Sequence, residues 1–378
     1  MPAKHYKNFD ANQLIEIPYK IDGFNFNTQN LEREYDYIIV GQGLAGSCLA
    51  LELTAQGQRV MVYNDPEGNN SSRVAGGLIN PITGRKMVLT WRVHELFNYL
   101  NKFYKKAEIK LNQKFYYKIP IYRPFISVEE QNEWQGKSID ENYKPFVKEV
   151  KTCSESDSVV SDPFGGLLLK QGGYLDTNVF LEAANNWLKS TNQLTNKKFE
   201  NDSINFIEKV VVYKGIKAKK IIFCNGVAEV DSDYFSEIKF RPVKGEVLKI
   251  EIEPSLKKVY NRGVFIMPRD GNHTVGSNYN HKDLTWKPTE KGKAEIETKL
   301  KALLQTPYKV VGHKAGVRPS VSDRRPVLGM SNKREQLVIF NGLGTKGVSL
   351  APFFANQLAN SLIDGIEIDK EVNVNRYN

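Results

Sequence analysis

Two rhythms of apolar and polar residues run through the chain, one suited to strands and one to helices. Residues 35–40 form a β-branched run closing at Val40, as expected of a strand buried on both faces. Residues 44–53 open an apolar helix, and residues 59–63 supply a second strand. Over 91–106, Val93, Leu96, Phe97, Leu100 and Phe103 share one helical face. Asp176 is placed to N-cap a further helix over 177–189. Strands are predicted at 209–213, 219–224, 240–252, 263–267, 273–276 and 336–340, with a charged helix over 288–304. A final helix runs to about Ile363. In it Gly347, Ala351, Ala355 and Ala359 make a smooth stripe beside Leu350, Phe354, Leu358 and Leu362. Pro352 cannot donate a backbone hydrogen bond, so this helix is expected to start late or bend there.

The joint between the first strand and helix carries the first chemical signal, Gly41-Gln42-Gly43-Leu44-Ala45-Gly46. Gly41 permits a tight turn, Gly43 a close backbone approach to a pyrophosphate, and Gly46 close packing of helix on strand. The free amides and dipole at the helix start favour an anion. With a strand on either side at the right distance, the stretch predicts a dinucleotide-binding βαβ unit. The long Gly, Asn and Ser-rich loop over 64–90 has the character of a functional loop. The loop Gly342-Leu343-Gly344-Thr345-Lys346-Gly347 before the last helix forms a second anion-friendly site.

Composition narrows the classes. A chain of 378 residues can bury one large core or two joined ones. The net charge of +10 is spread over scattered lysine pairs, which favours solvated faces over a nucleic-acid groove. Cys48, Cys153 and Cys224 are odd in number and far apart, so neither a disulfide framework nor a zinc site is indicated, and the five histidines show no metal spacing. No apolar run reaches membrane-spanning length and no signal-peptide core opens the chain, so a cytoplasmic protein is expected. The Asn-rich residues 1–33 read as an extension before the first strand.

Several separated motifs follow in order: the glycine turn above, Ala75-Gly76-Gly77, Gly173-Tyr174-Leu175-Asp176, Ile221-Ile222-Phe223-Cys224-Asn225-Gly226, Pro242-Val243-Lys244-Gly245-Glu246, Met267-Pro268-Arg269, Gly316-Val317-Arg318-Pro319 and the closing glycine loop. Together they resemble the D-amino-acid oxidase and glycine oxidase family of FAD-dependent oxidoreductases. The resemblance implies an α/β fold: a Rossmann-like FAD-binding domain of the glutathione-reductase type and a second, α+β substrate domain with a mixed sheet. It implies a discontinuous FAD-binding domain over 34–95, 151–238 and 310–378, and a substrate domain over 96–150 and 239–309.

Carried over by position, Gly41, Gly43, Leu44, Ala45 and Gly46 hold the pyrophosphate turn, and Gly226 belongs to the same cofactor set. The family's ribose-binding acid falls on Asn64, with Asp65 beside it, which leaves that contact open. Gly76, Gly77, Leu78, Gly344, Thr345, Lys346 and Gly347 fall near the flavin, with Lys346 at its pyrimidine edge. Arg318 falls where the family holds a substrate carboxylate, a task suited to a planar, permanently charged fork. Arg324 and Arg325 make the pocket mouth more basic than usual. The cysteine that tethers flavin in some relatives falls near Gly316, so non-covalent FAD is expected. The lysine with which others activate oxygen falls on Thr274, leaving O2 or a carrier open as electron acceptor.

The implied reaction is oxidation of an amino acid or carboxylate-bearing amine to an imine, with Arg318 and Lys346 as catalytic-site residues and no metal. The same glycine loops also resemble the oxidase half of the bacterial enzyme that trims a modified tRNA wobble uridine. That is one alternative, which would make nucleic acid the partner. A non-catalytic flavin-binding protein is another.

Overall fold

The computed structural model describes residues 33–377 except 69, 155–158, 254, 255 and 270, so the expected extension falls almost wholly outside the described residues. Two large sheets dominate. In the first, Arg33–Val40 lies between Val60–Tyr63 and Ile216–Phe223, parallel to both, with Val40 opposite both Tyr63 and Phe223. Ile216–Phe223 forks. Its start pairs antiparallel with Val210–Tyr213, and its end pairs parallel with Leu337–Asn341. Ile38 and Ile39 are fully buried, as a strand covered on both faces requires.

The Leu44–Ala55 helix is apolar nearly all round because it is sandwiched between this sheet and the last helix. Gly46 makes that approach possible, since a β-carbon there would lie 1.9 Å from the Gly41 carbonyl oxygen. The last helix spans Gly347–Asp364 with Pro352 inside it, which corrects the expected late start. The Val348 carbonyl, four residues before Pro352, instead accepts a 2.7 Å bond from the buried Tyr104 hydroxyl on the Val93–Leu111 helix. Both predicted stripes are buried at Ala351, Ala355 and Ala359 and at Leu350, Phe354 and Leu358.

The second sheet is mixed, in the order Tyr308–Arg318, Val243–Ile252, Asn272–Gly276, Val264–Arg269, Val259–Arg262, Ile121–Pro124, Gly166–Leu169 and Val147–Lys151. Gly166–Leu169 comes from the 151–238 segment, and Tyr308–Arg318 spans the 309/310 boundary. Register divides its two faces. Leu248, Val275, Ile266, Tyr260, Tyr122 and Leu168 stand side by side and pack in one core with Ile296, Leu300 and Leu303 of the Glu290–Leu303 helix. One residue along, Val247, Gly276, Phe265 and Asn261 form the opposite row, and all four line a cleft.

The loop over 64–90 is more ordered than its composition predicts. It contains a short helix, Ser71–Val74, and three two-residue strands, Leu78–Ile79, Ile82–Thr83 and Val88–Leu89.

Candidate active site

Between the two sheets lies a cleft of about 2120 Å³. Pockets for one small molecule reach roughly 1,000 Å³, so this one has room for a cofactor and a substrate together. Of the residues expected from sequence to bind cofactor or substrate, all line it except Gly46, whose place is the helix–strand contact.

At one end is the glycine turn. Gly41 has φ +101°, and a β-carbon there would lie 2.7 Å from the Cys224 carbonyl oxygen, so only glycine fits. Gly43 caps the following helix without a side chain. The Leu44 N–H donates to Ser72 Oγ at 3.1 Å, and the remaining first-turn amides are left for an anion. Asn64 and Asp65 follow the second strand, with Asn64 Nδ2 donating to Asn196 Oδ1 at 3.1 Å and Asp65 Oδ1 accepting from the Glu67 N–H. Gly226, at φ +61°, is fixed by Asn341 Nδ2 donating to its carbonyl at 2.9 Å.

Farther along, Gly76 and Gly77 are pressed between strands. Gly77 has φ +79°, and a β-carbon there would meet the Leu175 carbonyl oxygen at 2.0 Å; one at Gly76 would meet the Phe265 ring at 2.4 Å. Arg269 Nη2 donates to the Gly76 carbonyl at 2.6 Å, and its guanidinium stacks on Tyr174 at 4.1 Å. Leu78 continues this wall into the cleft. Gly344, Thr345, Lys346 and Gly347 close on it from the last helix. Lys346 Nζ donates to Thr83 Oγ1 at 3.1 Å and Thr90 Oγ1 at 3.3 Å. Burial, and then the Arg325 charge, push its pKa below the ordinary lysine value.

Arg318 ends its strand opposite Val243, beside a cross-strand pair of glycines, Gly245 and Gly316. Its side chain lies across Gly245, where a β-carbon would be 1.9 Å from Nη2. Nη2 donates to Ser277 Oγ at 2.8 Å, and the guanidinium carbon is 5.0 Å from the Tyr279 ring centre. Nη1 is buried with no hydrogen-bond partner, and no carboxylate pairs with this arginine among the described residues. Burial lowers its pKa, with Tyr279 opposing the shift. An unpaired guanidinium this desolvated is suited to an incoming carboxylate.

The wall is cationic. Arg85, Arg123, Arg241, Arg262, Lys299, Arg324 and Arg325 line it with Arg318 and Lys346, and Asp65 is the one carboxylate among the described lining residues. Arg325 stacks on Trp91 at 4.1 Å. Arg123 donates to the Gly84 carbonyl at 2.7 Å, and burial pushes its pKa down to about 10. Ser277, Tyr279, Thr83, Thr90 and Arg269 carry no sequence signal that marks them as functional. Only their place after or within quoted motifs could have drawn attention to them. No group of residues able to hold a metal occurs among the described residues, and no helix among them is long and apolar enough to cross a membrane.

Comparison with known proteins identifies the family. The chain is 21% identical over 369 residues to glycine oxidase of Bacillus subtilis (strain 168), covering 91% of this chain and 95% of that protein. It is 24% identical to the tRNA 5-methylaminomethyl-2-thiouridine biosynthesis bifunctional protein MnmC of Leptospira borgpetersenii serovar Hardjo-bovis (strain JB197). That match covers 86% of this chain and only 57% of the relative. In fold it is similar to iminodiacetate oxidase from Chelativorans sp. BNC1, with TM-score 0.73 and 17% identity over 90% of this chain and 98% of that one. The family described as DAO, FAD dependent oxidoreductase, matches residues 36–361. The chain belongs to this family of FAD-dependent oxidoreductases.

Proposed function

We propose that this enzyme oxidises an amino acid or another carboxylate-bearing amine, with Arg318 holding the carboxylate. One observation carries the reading. A guanidinium on the cleft wall is desolvated, fixed on one side by Ser277, and unpartnered at Nη1.

The cleft fits FAD as its resident group. The first-turn amides near Gly43, Leu44 and Ala45 would hold the pyrophosphate. Asn64 or Asp65 would take the ribose, Gly226 would complete the turn beside them, and Gly76, Gly77, Leu78 and Gly344 to Gly347 would flank the ring. Attachment is proposed to be non-covalent, since burial pushes the thiol of Cys224, the one cysteine on the described cleft wall, well up and away from nucleophilic form. When bound, FAD supplies a two-electron acceptor that takes a hydride from the carbon beside the amine nitrogen.

The chain itself contributes orientation. Arg318 fixes the carboxylate, so the carbon–hydrogen bond is held in one place rather than sampled. Lys346 would stand at the flavin edge where negative charge would accumulate. No carboxylate on the described wall stands ready as a general base except Asp65, which lies at the dinucleotide end. The nitrogen lone pair therefore closes the C=N bond as hydride leaves, a proton passes to solvent, and water hydrolyses the imine. The first sheet serves as the cofactor side and the second as the substrate side. The buried free thiols of Cys48 and Cys224 suit a reducing, cytoplasmic setting.

Anaerobic bleaching of the flavin across a library of amines tests the proposal, with acid release of the flavin testing attachment. Bleaching by carboxylate-bearing amines supports it; no bleaching by any amine points to a protein that only binds flavin. The cationic wall favours a second reading, in which the amine belongs to a modified tRNA. Tight tRNA binding with a steep salt dependence would support that reading.

A further inference from the structure

We infer that the segment from Ser277 to Pro288 is the substrate-selecting wall, and that it selects carboxylate-bearing amines that also carry an aromatic ring. The inference rests on Arg318 as the carboxylate holder and extends that site. The segment leaves the Asn272–Gly276 strand, passes Arg318 and ends at the Glu290–Leu303 helix. It has little regular structure, yet it is tied down along its length by two side chains of the Val243–Ile252 strand. Lys244 has no exposure at all. Its Nζ reaches Asp283 Oδ2 at 2.5 Å, the Lys287 carbonyl at 2.6 Å and Thr285 Oγ1 at 3.3 Å. Glu246, equally buried, accepts from the Thr289 N–H at 2.9 Å and the Thr289 hydroxyl at 2.8 Å. Backbone contacts add to this. Lys244 and Asn280 exchange two hydrogen bonds at 2.9 and 3.0 Å, and Asn278 Oδ1 accepts from the Glu246 N–H at 2.7 Å.

Burying charge is costly, and a buried ion pair contributes little net stability compared with apolar packing. What Lys244 and Glu246 do provide is a fixed position for this segment. The residues between the anchors turn the other way, and Tyr279, Leu284 and Trp286 line the cleft. Tyr279 is 59% exposed and Leu284 40%, although the backbone that carries them is held firmly. Tyr279 against a guanidinium that no carboxylate pairs, with Leu284 and Trp286 lining the same cleft, matches a ligand that is anionic at one end and planar and apolar at the other. A carboxylate on Arg318 would deliver its substituent to this wall. The ring can be attached at the α-carbon or at the amine nitrogen, and the chemistry recognised is the same.

The test titrates the FAD-loaded enzyme with phenylpropanoate and with propanoate. Neither carries an amine, so each reports binding without turnover, through the flavin absorbance or by calorimetry. The ring should tighten binding about 10- to 100-fold. Trp286→Ala and Tyr279→Leu should each shrink that ratio several-fold. A wild-type ratio near one, or a ratio unchanged in both variants, would overturn the inference. The outcome is separable from the Arg318 assignment. If Arg318→Met leaves the affinity for both acids unchanged, the carboxylate site itself is wrong. If it weakens both and the ring still adds nothing, only the aromatic wall fails. Phenylalanine and N-benzylglycine, compared with glycine as substrates, then locate the ring. Faster oxidation of either supports the inference, and neither exceeding glycine contradicts it.

Discussion

Arg318 lies where a β-carbon of Gly245 would be: a methyl group there would come within 1.9 Å of Nη2 and 2.2 Å of the guanidinium carbon. The glycine of the Lys244-Gly245-Glu246 motif thus makes room for an arginine on the neighbouring strand, and it does so on the cleft face, while Lys244 and Glu246 work on the other face.

This contact makes Gly245→Ala informative. Gly245 does not need a left-handed backbone, so alanine should fold normally and push the guanidinium off Ser277. Losing one charge-assisted bond costs about 1.5–3 kcal/mol, so the substrate constant for a carboxylate-bearing amine should rise on the order of 10- to 150-fold. Flavin content should be retained. Unchanged saturation kinetics would show that the arginine's position does not matter.

Tyr104 explains how a helix tolerates Pro352. Tyr104→Phe leaves the Val348 carbonyl buried without a donor, a loss of about 1–3 kcal/mol that thermal or urea unfolding should register. In a Pro352→Ala background residue 352 regains its own N–H, so Tyr104→Phe should cost much less. Equal losses in both backgrounds would refute this account of the helix.

Lys346 sets a pH dependence. Its pKa is lowered by burial and by Arg325, so it loses its proton at lower pH than an ordinary lysine. If its charge stabilises an anion at the flavin ring, affinity of the holoenzyme for sulfite should fall as pH rises through that lowered value. Lys346→Arg should move the fall to higher pH, and Lys346→Met should abolish it. The sign for the flavin-free protein is opposite. A cation whose folded pKa is depressed is destabilising while charged, so stability should rise as pH passes upward through the same value. An alkaline limb that persists unchanged in Lys346→Met would remove the lysine from this role.

Much of this was legible because it is local. The glycine turn, its strand and its helix are consecutive, and Gly46 answers to the carbonyl of Gly41 within the same turn, although Gly41 itself answers to the distant Cys224 carbonyl. Arg318 was legible through its motif, but its surroundings were not. Ser277 lies 41 residues away and is brought close by cross-strand register, which no local periodicity encodes. The strand Gly166–Leu169 was missed because four consecutive buried residues carry no alternation. The group that satisfies the Val348 carbonyl was hidden for a similar reason, since Tyr104 is 244 residues distant.

The central claim is that Arg318 binds the substrate carboxylate, and anaerobic flavin reduction in Arg318→Met tests it most directly. Methionine keeps much of the length without the charge, so flavin and fold should be retained. The amine concentration needed for half-saturation should rise on the order of 100- to 10,000-fold, the loss expected when both bonds of a bidentate charge-assisted pair, about 1.5–3 kcal/mol each, are removed. Arg318→Lys should recover only part of it, since an ammonium cannot copy a planar fork. A methionine variant that saturates like wild type on a carboxylate-bearing amine would contradict the account.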